Sequence, residues 1–367
     1  MIEGGLAILV EKAIYLASTE EASGKSVLAI SLASMASELG KKVGYFKPIT
    51  LENSLAPGRE GIDEDIEVMR KILNLKLDYD SLCPITLKRD DFIKDFLEVD
   101  VSQCFENLSK CFEKVSENRD IVLIEGPRTL SVGSFLGCPV PKLAKHFNAE
   151  ILLVLKFRDD FIVDEMLEIR EYCARWDAKI LGIVLNRVPR DFIHRVENVI
   201  KPFIEKRGLK VFGVIPEERS LSALTAREIC EFLGGRVLAG EDGLDNLVED
   251  VLIGAMTPES AAKYFQRAVN EVVITGGDRT DVILTALETG VAALILTGNL
   301  HPSAKVFPRA DQLRVPLILV PYDTYTTLLH VQKIIGRIKP SDYRRIRSAI
   351  NLVKKHVDWK KILETRP

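Results

Sequence analysis

Apolar residues along this chain fall into two rhythms. Short runs of consecutive aliphatic and β-branched residues occupy 13–17, 43–48, 121–125, 151–155, 180–185 and 211–215. Between them lie longer stretches, 25–39, 63–73, 101–116, 163–176 and 192–206, in which apolar positions recur every three or four residues. A run apolar at successive positions suits a strand covered on both faces, whereas the longer spacing suits a helix with one face on a core. The alternation predicts an α/β domain over residues 1–215, a parallel sheet with helices on both faces.

A polar connector, Pro216-Glu217-Glu218-Arg219-Ser220, ends that series. Thr225 with Glu228 three places on matches a helix capping box, and Gly234-Gly235 suits the end of that helix. A second βα series follows, with strands at 272–275, 293–296 and 317–321 and a helix from about Asp281. It predicts a smaller α/β domain over 216–338. Residues 339–367 read as a helical tail with nine Lys/Arg against three Asp/Glu. Such a helix binds an acidic partner, or is a solvated or subunit-packing helix.

Composition narrows the classes. With 47% apolar and 28% charged residues, the chain of 367 residues has the make-up of a globular protein of two domains. A net charge of −3 provides no global basic field, so neither nucleic acid nor an anionic membrane is an expected partner. No apolar run approaches a membrane span, and residues 1–10 carry no secretory pattern. The six cysteines include no CxxC pair, which removes zinc and disulfide-framework readings and fits a reducing cytoplasm. The five histidines have no recognisable Ser or Cys partner for a nucleophilic triad.

The chemistry concentrates where the first predicted strand meets the first helix. Residues 18–23 form a small polar loop, and Gly24-Lys25-Ser26 opens an apolar-periodic helix. A loop feeding a helix N-terminus turns free N–H groups and the positive end of the macrodipole toward an anion. Gly24 allows the backbone close approach, Lys25 suits β- and γ-phosphate oxygens, and the Ser26 hydroxyl suits Mg²⁺. Thr19, Ser23, Gly24, Lys25, Ser26 and Val27 are therefore the candidate nucleotide contacts. Thr19 takes the place of the usual first glycine, and Glu20 and Glu21 must face outward or meet a cation.

Three more strand ends carry candidates. Lys47 stands at the carboxyl end of the second strand, read as a central one, where open α/β sheets bind ligands, and suits a phosphate or a substrate carboxylate. Glu125 ends the third strand as an acid that organises Mg²⁺ and water would, or caps the next helix. Asp63 and Asp65 stand at a helix start, where metal binding and capping are equally served. Asn186 follows the strand at 181–185 and suits either an adenine edge or a turn. The expected catalytic set is Lys25, Lys47 and Glu125, and the expected metal set is Ser26, Asp65 and Glu125.

Ser18-Thr19-Glu20 leading to Gly24-Lys25-Ser26, then 44–49, Glu125-Gly126 and 182–186, resemble the dethiobiotin-synthetase-like group of P-loop proteins. They are more similar still to the non-catalytic N-terminal region of long-form phosphate acetyltransferases. Downstream, Ala255-Met256, 275–281, 286–288, 295–299 and 321–325 resemble the DRTGG domain that follows in those proteins. The resemblance implies ATP and Mg²⁺ as cofactors, with Lys25, Ser26, Lys47, Glu125 and Asn186 in ATP, Mg²⁺ and substrate contacts. It implies a cytoplasmic regulatory or sensor role in central metabolism, possible slow ATPase activity and no acetyltransferase activity. The role is exercised alone or with a separate metabolic enzyme, in answer to a nucleotide or small metabolite. The alternative is an ATP-dependent carboxylate ligase, against which Pro127-Arg128 replace the small glycine-rich turn beside the synthetase substrate.

In the second domain, Gly276-Gly277 give a close-approach turn before a helix. Asp278 and Arg279 either pair with each other, engage an anion, or lock an interface. Thr280, Asp281, Thr297, Gly298 and Asn299 complete that candidate ligand or interface set. The small domain and tail point to a homodimer or higher homo-oligomer.

Overall fold

The computed structural model describes residues 10–51, 63–87, 93, 100–218, 221, 223–267, 270–334 and 342–364. Arg219 and Ser220 of the expected connector, Lys339 at the start of the tail and Arg366 near its end lie outside the described residues. The chain divides into two units, Met1–Glu218 with Ile338–Pro367, and Arg219–Arg337. Among the described residues no helix is long and apolar enough to cross a membrane.

The first unit begins β1 (Lys12–Ala17), α1 (Lys25–Glu38), β2 (Val43–Phe46), β3 (Ile49–Leu51), α2 (Glu64–Leu73), α3 (Tyr79–Leu82) and β4 (Ile85–Leu87). It continues α4 (Val101–Ser116), β5 (Ile121–Glu125), α5 (Val140–His146), β6 (Glu150–Lys156), α6 (Ile162–Ala174) and β7 (Ile180–Val188). A helical stretch, α7, then combines Ile193–Arg195, the π turn Val196–Ile200 and Lys201–Glu205 before β8 (Val211–Pro216). Six of these strands make a sheet of order β2-β5-β1-β6-β7-β8 in which every neighbouring pair is parallel. All six residues of β1 are buried, the consequence of covering both faces of a central strand. Strands β3 and β4 pair separately, in parallel.

The carboxy-terminal helices α13 (Tyr343–His356) and α14 (Trp359–Leu363) belong to this unit and explain an oddity of α1. That helix is rich in Ala, Ser, Leu and Ile around its whole circumference, because α13 and α2 pack against it in addition to the sheet. Lys354 reaches Glu38 at 2.7 Å, and the amide of Asp358 donates to the Phe212 carbonyl at 2.7 Å. Val357 bridges Gly213 on the edge strand β8, where a side chain at 213 would strike the His356 carbonyl. The tail is thus a docked pair of helices with one apolar face.

The second unit runs β9 (Leu224–Thr225), α8 (Ala226–Leu233), β10 (Arg236–Ala239), β11 (Leu247–Val248), β12 (Asp250–Ile253) and α9 (Pro258–Phe265). It closes with β13 (Glu271–Gly276), α10 (Thr280–Leu287), β14 (Ala293–Thr297), α11 (Val306–Leu313), β15 (Leu317–Leu319) and α12 (Thr324–Ile334). Its five-stranded sheet has the order β10-β15-β14-β13-β12, parallel except for β10. Strand alternation divides the core. Val273, Leu294, Leu296 and Leu317 pack with Phe265, Val282 and Val306 on one side; Val272, Ile274, Ile295 and Ile318 pack with Ile229, Leu233 and Val331 on the other. The Thr225–Glu228 capping box opens α8 and Gly234 closes it in the left-handed conformation.

Candidate functional site

The loop after β1 has the conformation that an anion site needs. Gly24 sits at φ 95°, and a Cβ there would lie 2.1 Å from the Asn186 amide nitrogen, so only glycine fits. Lys25 begins α1 and turns its ammonium back onto the Ser18 hydroxyl. Burial of that amine pulls its pKa down to about 8, against the opposing pull of Glu125. Ser23 is buried with a hydroxyl that has no hydrogen-bond partner among the described residues. An orphaned buried hydroxyl beside a helix N-terminus is suited to an incoming acceptor. Thr19 and Val27 lie in the same segment, half-buried.

Carboxylates and a lysine gather next to the loop. Glu125 ends β5 and Lys47 directly follows β2, two strands in register through Phe46 and Ile124. The Ser26 hydroxyl stands 2.8 Å from both Asp65 Oδ2 and Glu125 Oε1. One hydroxyl has one proton to donate, so two carboxylates at that distance call for a second proton or a cation among them. Lys47 Nζ supplies charge from one side, at 2.7 Å from Asp63, 3.1 Å from Asp65 and 3.2 Å from Glu125. Burial opposes the charge on Lys47, but the three carboxylates outweigh it and hold the ammonium well above its usual range. Burial pushes the Glu125 carboxyl up; Lys47 opposes this, Asp65 and Asp63 push the same way as burial, and the net direction is upward. For Asp63, Lys47 and the Thr50 hydroxyl overcome burial and hold the carboxyl below its ordinary value. The expected sets Lys25/Lys47/Glu125 and Ser26/Asp65/Glu125 are thus brought together at one mouth of the sheet. Among the described residues no group of three or more His, Cys, Asp or Glu forms a metal cage by itself. Mg²⁺ asks for less, since it keeps waters and binds one or two carboxylates beside phosphate oxygens.

Asn186 is hydrogen-bonded within the protein. Its amide donates to the Ser23 carbonyl at 2.7 Å and its oxygen accepts from the Arg187 amide at 2.9 Å, which fastens β7 to the loop. The acidic loop residues meet cations, as they must: Glu20 pairs with Arg158, and Glu21 lies 3.9 Å from Arg128 Nε.

Residues 12–225 match a family model described as an AAA domain, and residues 228–334 match the DRTGG domain. The chain belongs to this AAA-domain family. Its two-domain order corresponds to the N-terminal region of phosphate acetyltransferases. The phosphate acetyltransferase of Nitratidesulfovibrio vulgaris is 27% identical over 378 residues, covering 94% of this chain and 50% of that protein. That of Synechocystis sp. is 25% identical over 363 residues, covering 95% and 51%. The chain spans about half the length of these curated relatives. Among solved structures, the MinD cell division protein of Aquifex aeolicus aligns over 57% of this chain and 84% of its own, at 16% identity and a TM-score of 0.37. The CBS and DRTGG domains of the regulatory region of a Clostridium perfringens pyrophosphatase, complexed with diadenosine tetraphosphate, align over 38% and 72%, at 20% identity and a TM-score of 0.28.

Within the DRTGG domain, the expected residues collect at the carboxyl ends of β13 and β14. The Thr297 hydroxyl contacts the Thr275 carbonyl at 3.2 Å and the Thr324 hydroxyl at 3.1 Å. Gly298 and Asn299 both take positive φ, and their amides donate to Tyr322 and Val320. Gly277 lies under the Leu300 carbonyl with no room for a side chain, and Gly276 is hemmed by Asp278. The Thr280 hydroxyl accepts from the Ser303 amide. Arg279 pairs with Asp281 at 3.4 Å and donates to the Met256 carbonyl at 3.0 Å. The ion pair formed by Arg279 is with Asp281, which the first turn of α10 brings within reach of the guanidinium.

Four participants in the AAA-domain site were not among the expected contact residues: Ser18, Tyr45, Thr50 and Arg158. Tyr45 donates to Glu125 Oε2 at 2.8 Å. Its position was readable, because residues two apart on a strand share a face and Lys47 lies two beyond it. Arg158 follows β6, and nothing local reveals that β6 neighbours β1.

Proposed function

We propose that this protein binds ATP with Mg²⁺ at the loop between β1 and α1 and serves as a cytoplasmic nucleotide sensor or regulator of central metabolism, with hydrolysis slow at most. The observation that carries this reading is the convergence of Ser26, Asp65 and Glu125 oxygens beside Lys25 and the orphaned Ser23 hydroxyl. Lys25 and the amides around Gly24 would hold phosphate charge, and Ser26 with Asp65 and Glu125 would hold the cation. Bound ATP would supply a phosphoanhydride, and Lys47 would keep the neighbouring carboxylates compensated. The match to the N-terminal half of phosphate acetyltransferases supports a regulatory role that acts through a nucleotide-dependent change in assembly or in an enzyme partner.

The test is calorimetric titration of the full chain with Mg·ATP, followed by a phosphate-release assay with and without carboxylic acids. Saturable binding with negligible release is expected. Absence of binding overturns the proposal, and release stimulated by a carboxylate would move the function to ATP-dependent ligation.

A further inference from the structure

The geometry points to Arg128 and Arg158 as a pair of anion clamps that the loop's own glutamates hold in readiness, and it rests on the nucleotide reading above. The strands decide their placement. In the order β5-β1-β6, the loop after β1 is flanked by the residues that follow β5 and β6, and these carry Arg128 and Arg158. Each guanidinium faces an acid of the loop: Arg158 pairs with Glu20, and Arg128 Nε lies 3.9 Å from Glu21 Oε1. The Ser18 hydroxyl donates to the Glu20 carbonyl at 2.9 Å and lies 3.3 Å from the Arg128 carbonyl, which sets both stretches of backbone beside the residue under the Lys25 ammonium.

Two carboxylates in a phosphate loop oppose anion binding unless something compensates them. Here the compensating charges are also the groups best shaped for phosphate, since guanidinium offers paired donors. The arginine side chains are 50% and 67% exposed, and pairs this open contribute little to stability, so they open readily. In this arrangement the glutamates stand in for phosphate oxygens until nucleotide arrives, and the arginines then turn to it. Glu20 and Glu21 therefore lower affinity while keeping the clamps over the loop.

The experiment titrates Mg·ATP calorimetrically into the full-length wild type and into Arg158→Gln, Arg128→Gln and Glu20→Gln, with thermal melting of each to establish folding. Loss of either arginine is expected to weaken binding about tenfold, the scale of one charge-assisted contact. Glu20→Gln is expected to tighten it severalfold, and Arg158→Lys to recover part of the Arg158→Gln loss. Binding by wild type with both arginine variants unchanged overturns the clamp and leaves the nucleotide reading standing. A wild type that does not bind Mg·ATP overturns both.

Discussion

Ser26 and Glu125, 99 residues apart in sequence, meet with hydroxyl and carboxylate oxygens at 2.8 Å. The contact joins the first turn of α1 to the end of β5, so it forms only when the central sheet has assembled. Glu125 is 2% exposed and also accepts from Tyr45, so a cation here would be bound by a fixed oxygen. Glu125→Gln is expected to lower Mg·ATP affinity about tenfold while changing Mg-free ATP affinity little. Titration with and without Mg²⁺ checks it, and an equal loss under both conditions would assign Glu125 a role unrelated to the metal.

Lys25 supplies a prediction in pH. Burial brings its pKa to about 8 in the free protein, and a phosphate nearby would raise it again. Binding should therefore take up a proton above neutrality, and affinity should fall as pH rises through roughly 8 to 9. Calorimetry in buffers of different ionisation enthalpy reads the uptake directly. Lys25→Ala should abolish binding and leave the far-UV spectrum and cooperative melt intact, whereas unchanged ATP affinity in that variant would remove Lys25 from the site.

Much of this arrangement was legible in the sequence for a simple reason. Strands such as Ile121–Glu125 and Ala293–Thr297 are buried on both faces, so they read as unbroken apolar runs with a polar residue at the carboxyl end. Gly24-Lys25-Ser26 and Lys47 stand at such ends. The strands that escaped notice are the short or edge ones. No residue of Asp250–Ile253 and only Ala239 of Arg236–Ala239 is fully buried, and among the described residues Ile49–Leu51 pairs with Ile85–Leu87 outside the main sheet. Charge pairing escaped for another reason: the partners Asp63 and Lys47 come from different elements, and a linear reading places both near the loop without stating that they touch. The tail read as a basic helix because its exposed face is basic. Its buried residues Ile346, Ala349 and Val353 lie at helical spacing and face α1.

Lys47 is the cation on which three acids depend. Its removal in Lys47→Met leaves Asp63, Asp65 and Glu125 facing one another around a buried methylene chain, and a loss of about 3–5 kcal/mol is expected. The pH dependence has a definite sign. Without the ammonium, the clustered carboxyls rise above their unfolded values, and groups raised on folding contribute stability that is lost as pH increases. The variant should be far less stable than wild type at roughly pH 7 and close part of the gap at roughly pH 5. In the wild type Asp63 is held low by Lys47, so its contribution persists at neutral pH and disappears only as pH falls through the carboxylate range. Equal destabilisation of Lys47→Met at both pH values would mean that the acids are not coupled through Lys47.

Gly213 decides whether the carboxy-terminal helices stay on the first unit. The strand β8 runs at the sheet edge, and a Cβ at 213 would lie 2.5 Å from the His356 carbonyl oxygen and 2.9 Å from Val357 Cα. Both obstacles are backbone, so no rotamer change relieves them, and the bridge between Gly213 and Val357 has to open. Gly213→Ala should cost about 1–3 kcal/mol, as overpacking does elsewhere. Because α13 covers α1, whose first turn carries Lys25 and Ser26, the loss should extend beyond the tail and lower the melting temperature of the whole unit. Limited proteolysis should release fragments cut between 342 and 364 early in the variant and late in the wild type. A variant with wild-type melting temperature and digestion pattern would mean that the tail holds its place without the edge-strand contact.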